Sequence, residues 1–387
     1  MTSTFRRDRS TWLPYLLLAF FGYFVNVLGP ITPFLKEELG LSYTVSSLHF
    51  TAFAIGILLV GVGGHILVGR VGRRRALWMG AFGLSVGVFL LLAGRSAALT
   101  IGASFCMGLL GSLILVIVPS ALSDQHGEFR SVALTEANVV SSLVSTAAPL
   151  LVGWFAPLPG GWRLALGGMA LAPFFMRLGF GHVDFAQSSA HPEGTPEARR
   201  PLPPLFWVYW TALALSVSVE FCMIFWSADY LETCLGMVKT SAAQAVSLFL
   251  GAMIAGRIAG SRLVRALSSR RVVVASALVA GAGFALFWTA RTALLGMVGL
   301  TIAGLGVASL YPLLQSLAIG VASDDTVRAG ARTTLASGTA ILSLPLVLGR
   351  LADVAGIRPA YGVVAVLLLG ILLIMLLTSG RGWGPRQ

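Results

Sequence analysis

Long apolar stretches broken by short polar intervals run from one end of this chain to the other. Stretches such as Trp12–Leu35 and Arg75–Gly94 have about the 20 residues that a helix needs to cross a bilayer. The alternating segments of about ten residues typical of a membrane β-barrel do not occur. Setting apolar runs against polar breaks predicts twelve spans, near residues 12–35, 45–69, 75–94, 98–122, 131–156, 163–181, 204–230, 241–264, 271–289, 293–322, 333–350 and 359–380. The expected fold class is an all-α integral membrane protein. The first run, about 24 residues, is longer than a signal-peptide core, so it is expected to stay as the first span.

Between His182 and Pro204 the pattern changes to HVDFAQSSAHPEGTPEARRPLPP, which has little to bury. It reads as a flexible cytoplasmic linker, 182–203, between a six-span half at 1–181 and a second at 204–387. A shift of 196 positions lays the first half on the second. It places Gly64 on Gly260, Arg74 and Arg75 on Arg270 and Arg271, Gly108 on Gly304, Pro149 on Pro345, and Gly153 on Gly349. One register aligning five separate places predicts an internal repeat, two like-oriented bundles related by an axis along the membrane normal.

Composition excludes several classes. The 387 residues are 56% hydrophobic and 11% charged, with a mean hydropathy of +0.86, too apolar for an ordinary soluble domain. The net charge of +12 would suggest nucleic acid in a soluble protein, but the arginines cluster between apolar runs. With the N-terminus inside, roughly 18 Lys and Arg fall on the cytoplasmic side against about 7 outside, as the positive-inside rule expects. Both termini are therefore expected in the cytoplasm, with the protein in the plasma (inner) membrane. Cys106, Cys222 and Cys234 lack metal-site spacing and read as core residues. No Walker-type phosphate loop, HExxH or GxSxG is present, so no enzyme activity, ATP-driven step, cofactor or metal is expected.

The stretch Gly64–Arg75, GHILVGRVGRRR, resembles the loop-2/3 signature of the major facilitator superfamily. Arg70, Gly72, Arg73 and Arg74 match the pattern, and GSRLVRALSSRR is a degenerate copy in the second half. The resemblance implies twelve helices in two pseudo-symmetric bundles, alternating access, and a conformational-gate role for these four residues. The family's Asp is Gly69 here, so the charge latch that the resemblance implies is expected to be weak or built differently. GPITPFLKEELGLS and GLGVASLYPLLQSLA look like the sugar-permease and cyanate-permease-like branches, while Ala148-Pro149 with a single Gly153 departs from the antiporter motif, leaving direction open.

Ionisable groups at membrane depth are costly and therefore candidates for function. Intramembrane charge reads as confined to Glu220, in SVSVEFCMIFW of span seven, with Glu136 and Arg257. Glu220 is the first candidate for proton coupling or substrate contact; the plainer reading is a neutral acid hydrogen-bonded between helices. Glu136 and Asn138, in TEANVV, line an inner vestibule or, for Glu136, sit as an interfacial acid favoured by the helix dipole. Arg257 binds an anion, pairs with one of these acids, or snorkels. Tyr23, Asn26 and His49 supply hydrogen bonds to a polar substrate, with His49 more naturally interfacial. In span ten Tyr311 and Gln315 flank Pro312 in a bending helix, Gln315 facing a cavity or serving packing. Asp353 and Arg358 are expected solvated in the last outer loop, and Trp207, Trp210 and Trp226 to serve packing or the interface.

The reading is a monomeric secondary active transporter of a small organic solute, anionic or sugar-like, coupled to protons and surrounded by lipid. The alternatives on the same fold are a lipid, amphiphile or drug translocator and a non-transporting membrane sensor.

Overall fold

The computed structural model describes residues 6–183, 201–322 and 326–378, and every regular element among them is helical. Twelve spans follow one another: α1 (Arg9–Leu39), α2 (Tyr43–Val71), α3 (Arg73–Ala93), α4 (Ala97–His126), α5 (Arg130–Phe155), α6 (Arg163–Ala170 and Ala172–Phe180), α7 (Pro204–Leu235), α8 (Lys239–Leu263), α9 (Ser269–Thr289), α10 (Ala293–Val307 and Leu310–Gly320), α11 (Thr326–Ala355) and α12 (Ile357–Ala360 and Gly362–Leu377). A helix satisfies its backbone hydrogen bonds within its own segment, so in a bilayer each long apolar run is met by a helix. The second pieces of α6 and α10 open with Pro173 and Pro312 in their first turns, where a missing N–H removes no helical bond.

The chain forms two compact units, one holding residues up to Leu41 with those from Leu48 through α6, the other holding Ser42–Ser47 with α7 to α12. Ser42–Ser47 groups with the second unit. Asp353 accepts from the backbone N–H groups of Tyr43 and Thr44, both at 2.8 Å, and so caps the first turn of α2. Asp353 is exposed, as expected, but it belongs to the last turns of α11, which runs past the expected 333–350, rather than to a loop. Arg358 likewise has a partner, donating to the Ala290 carbonyl at 3.0 Å. Most of the expected linker, 184–200, lies outside the described residues.

Each unit repeats the other's internal contacts at the 196-residue spacing. α1 and α7 both end on a left-handed glycine, Gly40 at φ 61° and Gly236 at φ 65°. Ser96 and Thr292 cap α4 and α10 by accepting from Leu99 and Leu295 N–H. Gly108 packs on the Phe53 carbonyl and Gly304 on that of Phe249, while Gly87 meets Met107 and Gly283 meets Ala303. Arg74 donates to the Gly181 carbonyl at the end of α6, and Arg270 donates to the Thr378 carbonyl at 2.8 Å at the end of α12.

Candidate functional site

In the second unit α7 is the hub, packing against α8, α10, α11 and α12. Glu220 lies 16 residues into α7, about 24 Å along a helix rising 1.5 Å per residue, and is half-buried. The two serines before it are buried and spend their hydroxyls on their own helix, Ser216 on Leu213 O and Ser218 on Ala214 O, both at 2.8 Å. That leaves the carboxyl as the group on this part of α7 with chemistry to offer. The Arg257 charge on α8 acts on Glu220, and Tyr311 on α10 lies beside Gln315 and Ser337 within the field of the same acid. Gln315 donates to Thr333 Oγ1 at 3.2 Å, and the Thr333 hydroxyl donates to Gly330 O at 2.7 Å.

Four residues singled out by sequence, Glu220, Arg257, Tyr311 and Gln315, thus share one region built from α7, α8 and α10. Glu220 and Arg257 offer an acceptor and a donor to hydroxyls of a bound solute.

The first unit places its candidates differently. Glu136 takes a two-pronged ion pair from Arg7, Nε at 2.8 Å and Nη2 at 2.6 Å, and accepts from the Tyr15 hydroxyl at 3.3 Å. The Glu136 hydrogen bond and charge raise Arg7 above its ordinary value. Next to it Asp8 caps α1: burial opposes its charge, but hydrogen bonds from Thr11, Ser10 and Gln125 outweigh it and bring the carboxyl down to about 2. Asn138 and Asn26 donate to carbonyls of their own helices, Leu134 at 2.8 Å and Gly22 at 2.9 Å. Tyr23 is buried, its hydroxyl on Ala165 O at 3.0 Å. His49 is buried, its Nε2 lying 2.8 Å from Thr100 Oγ1.

In the gate loop Gly72, at φ 83°, is the single residue between α2 and α3. Arg73 pairs with Asp124 at 2.6 Å, Arg74 holds Gly181 O, and Arg70 is exposed. Of the tryptophans, Trp226 is fully buried and donates to Pro345 O at 3.1 Å, Trp210 donates to Arg332 O at 2.7 Å, and Trp207 remains exposed.

The sequence reading missed Asp229, so intramembrane charge is not confined to three residues. Asp229 is completely buried in α7 and accepts from Thr233 Oγ1 at 3.0 Å and Tyr43 Oη at 3.3 Å. The available signal was the threonine four residues on, one helical turn away, able to reach back to the carboxylate. Among the described residues no group of three or more His, Cys, Asp or Glu is placed to hold a metal.

The family model for the Major Facilitator Superfamily matches residues 15–326. The chain belongs to the major facilitator superfamily. It is a multi-pass membrane protein of a transporter family. Similar curated proteins include an uncharacterised transporter of this type from Yersinia pestis, 25% identical with 92% of each chain covered. Another is a glucose/galactose transporter of Brucella abortus, 27% identical over 89% of this chain and 88% of that one. Among solved structures, a bacterial homologue of the human lysosomal transporter Spinster superposes with a TM-score of 0.81 at 12% identity, covering 95% of this chain and 96% of that one. A D-xylose–proton symporter gives 0.73 at 15%, with the same coverage. At these identities the superpositions establish the major facilitator fold and nothing finer.

Proposed function

We propose that this protein moves a small polar organic solute across the plasma membrane by alternating access, with Glu220 coupling transport to protons. The observation that carries this reading is a half-buried carboxyl midway along a membrane helix, within the field of Arg257 and beside Tyr311. An ionisable group kept at that depth, against several kcal/mol of desolvation, argues for use. Hydroxyl-rich solutes suit the donors and acceptors of Arg257, Tyr311, Gln315 and Glu220, and the glucose/galactose transporter among the relatives supports a sugar-like substrate. Asn26, Tyr23, Asn138 and Glu136 enter the same proposal as positions near the solute path rather than as proton-coupling groups, since each has its polar group engaged within the protein.

The arginine asymmetry supports a cytoplasmic position for both termini, and the proposed unit of function is a monomer. Arg70, Gly72, Arg73 and Arg74 form the turn on which conformational change hinges. The test is a thermal-shift screen of the purified protein against sugars and organic anions, then uptake of any hit in proteoliposomes with and without a proton gradient. Gradient-driven uptake that disappears in Glu220→Gln is the expected result. Uptake indifferent to both the gradient and the substitution removes Glu220 from its role and leaves a uniporter or exchanger.

A further inference from the structure

The corner between α3 and α6 contains a cavity of about 590 Å³ lined by Arg74, Arg75, Trp78, Met79, Phe82 and Arg177. Its wall is aromatic: Trp78 stacks on Phe82 at 5.7 Å, and Phe82 meets Phe174 edge-on at 5.0 Å. The Arg177 guanidinium lies 5.3 Å from the centroid of Trp78, and with Arg74 it donates to the Gly181 carbonyl. Among the described residues neither Arg75 nor Arg177 has a carboxylate partner. The buried Trp78 indole N–H has no acceptor there either.

The internal repeat separates what the fold needs from what it does not. Arg74 and Arg270 both close a helix end through carbonyls, so that contact is structural in both units. At the positions equivalent to Trp78, Met79, Phe82 and Arg177, however, the second unit has Val274, Ala275, Leu278 and Leu373. The same helix packing is therefore achieved without the third arginine or the aromatic wall. In the first unit these residues concentrate positive charge at a helix end beside strongly exposed apolar groups, with Phe175 68% and Leu178 81% exposed.

We propose that this cavity binds an anionic phospholipid of the adjoining leaflet, its phosphate taken by Arg75 and Arg177 and its acyl chains lying along Phe174 and Leu178. Guanidinium groups offer phosphate two parallel donors, and the exposed aromatic and aliphatic surface is covered by hydrocarbon. A zwitterionic lipid brings an ammonium group to the same cations and is disfavoured. Free phosphate lacks the apolar contact.

The experiment is native mass spectrometry of the full-length protein in detergent, titrated separately with phosphatidylglycerol, phosphatidylcholine and inorganic phosphate. One phosphatidylglycerol is expected to stay bound where phosphatidylcholine and phosphate do not. Replacing two interfacial charges in Arg75→Gln/Arg177→Leu weakens that binding about 30-fold, while Arg271→Gln at the equivalent place in the second unit leaves it within about twofold. Lipid-free melting temperature checks that the double variant is folded; if it is not, the exposed Arg75→Gln alone carries the test with about a fivefold loss. Equal retention of phosphatidylcholine, equal binding by inorganic phosphate, or unchanged affinity in the folded variant overturns the proposal.

Discussion

Adding one methyl group at Gly108 tests both the helix packing and the repeat. A Cβ there would fall inside the contact radius of the Phe53 carbonyl oxygen, and within 2.8 and 2.9 Å of the carbonyl carbon and Cα of the same residue. These are backbone atoms of α2, so no rotamer change relieves the overlap and the helices must separate. At the equivalent position Gly304, the Cβ would stand 2.5 Å from the Phe249 oxygen, again backbone. Overpacking costs about 1–3 kcal/mol, and a clash with main chain on both sides belongs at the upper end. Alanine also gains about 1 kcal/mol of helix propensity over glycine, which the proper controls cancel. Those controls are Gly102→Ala and Gly281→Ala, helical glycines with nothing within 4 Å of the added atom. The difference between Gly108→Ala and Gly102→Ala is then about 3 kcal/mol, and likewise between Gly304→Ala and Gly281→Ala. At about 2–4 °C per kcal/mol for units of this size, each pair separates by about 6–12 °C in melting temperature. Intrinsic tryptophan fluorescence or thermal aggregation in a mild detergent reads this directly. Melting temperatures of Gly108→Ala and Gly102→Ala that agree within about 2 °C would refute the close approach of α2 and α4.

The ion pair at the start of α1 gives a second expectation: Glu136→Gln and Arg7→Ala keep gradient-driven uptake while Glu220→Gln loses it, because Glu136 is already committed to Arg7 and Tyr15. Equal loss in Glu136→Gln and Glu220→Gln, measured in the same proteoliposome assay, would sink that distinction. Asp8→Ala removes an N-cap and costs about 1 kcal/mol at neutral pH. Since the Asp8 carboxyl is held down at about 2 in the folded protein, its charge stabilises α1 above its unfolded value near 4. The gap between the unmodified protein and Asp8→Ala is therefore full at pH 7 and shrinks as pH falls from about 4 towards 2. Hydrogen exchange at the Thr11 amide across that range measures it, and a gap that widens on acidification contradicts the assignment.

The twelve spans were legible because lipid leaves the backbone two solutions, helix or closed barrel, and apolar runs of about 20 residues fit only the helix. Their ends were less so: α11 begins with TVRAGARTTLA, polar enough to look like loop, yet it is helical from Thr326 because helices continue beyond the apolar stretch that marks them. The repeat was legible through glycines and arginines for a physical reason. Gly108 and Gly304 face main chain, and Arg74 and Arg270 reach helix-end carbonyls, so each of these positions tolerates few other side chains and the 196-residue register survives there. Polar pairing left no such trace. Arg7 and Glu136 are 129 positions apart, and nothing around either residue names the other. Asp229 was overlooked because an acid near the end of an apolar run reads as interfacial, whereas Thr233 and Tyr43 make its burial tolerable. Candidate acids can thus be found by depth, but whether each is already paired depends on contacts between helices. That distinction sets Glu220, partly open and facing Arg257 across α7 and α8 in electrostatic terms, apart from Glu136, whose oxygens are taken, and makes Glu220 the residue on which the transport experiment turns.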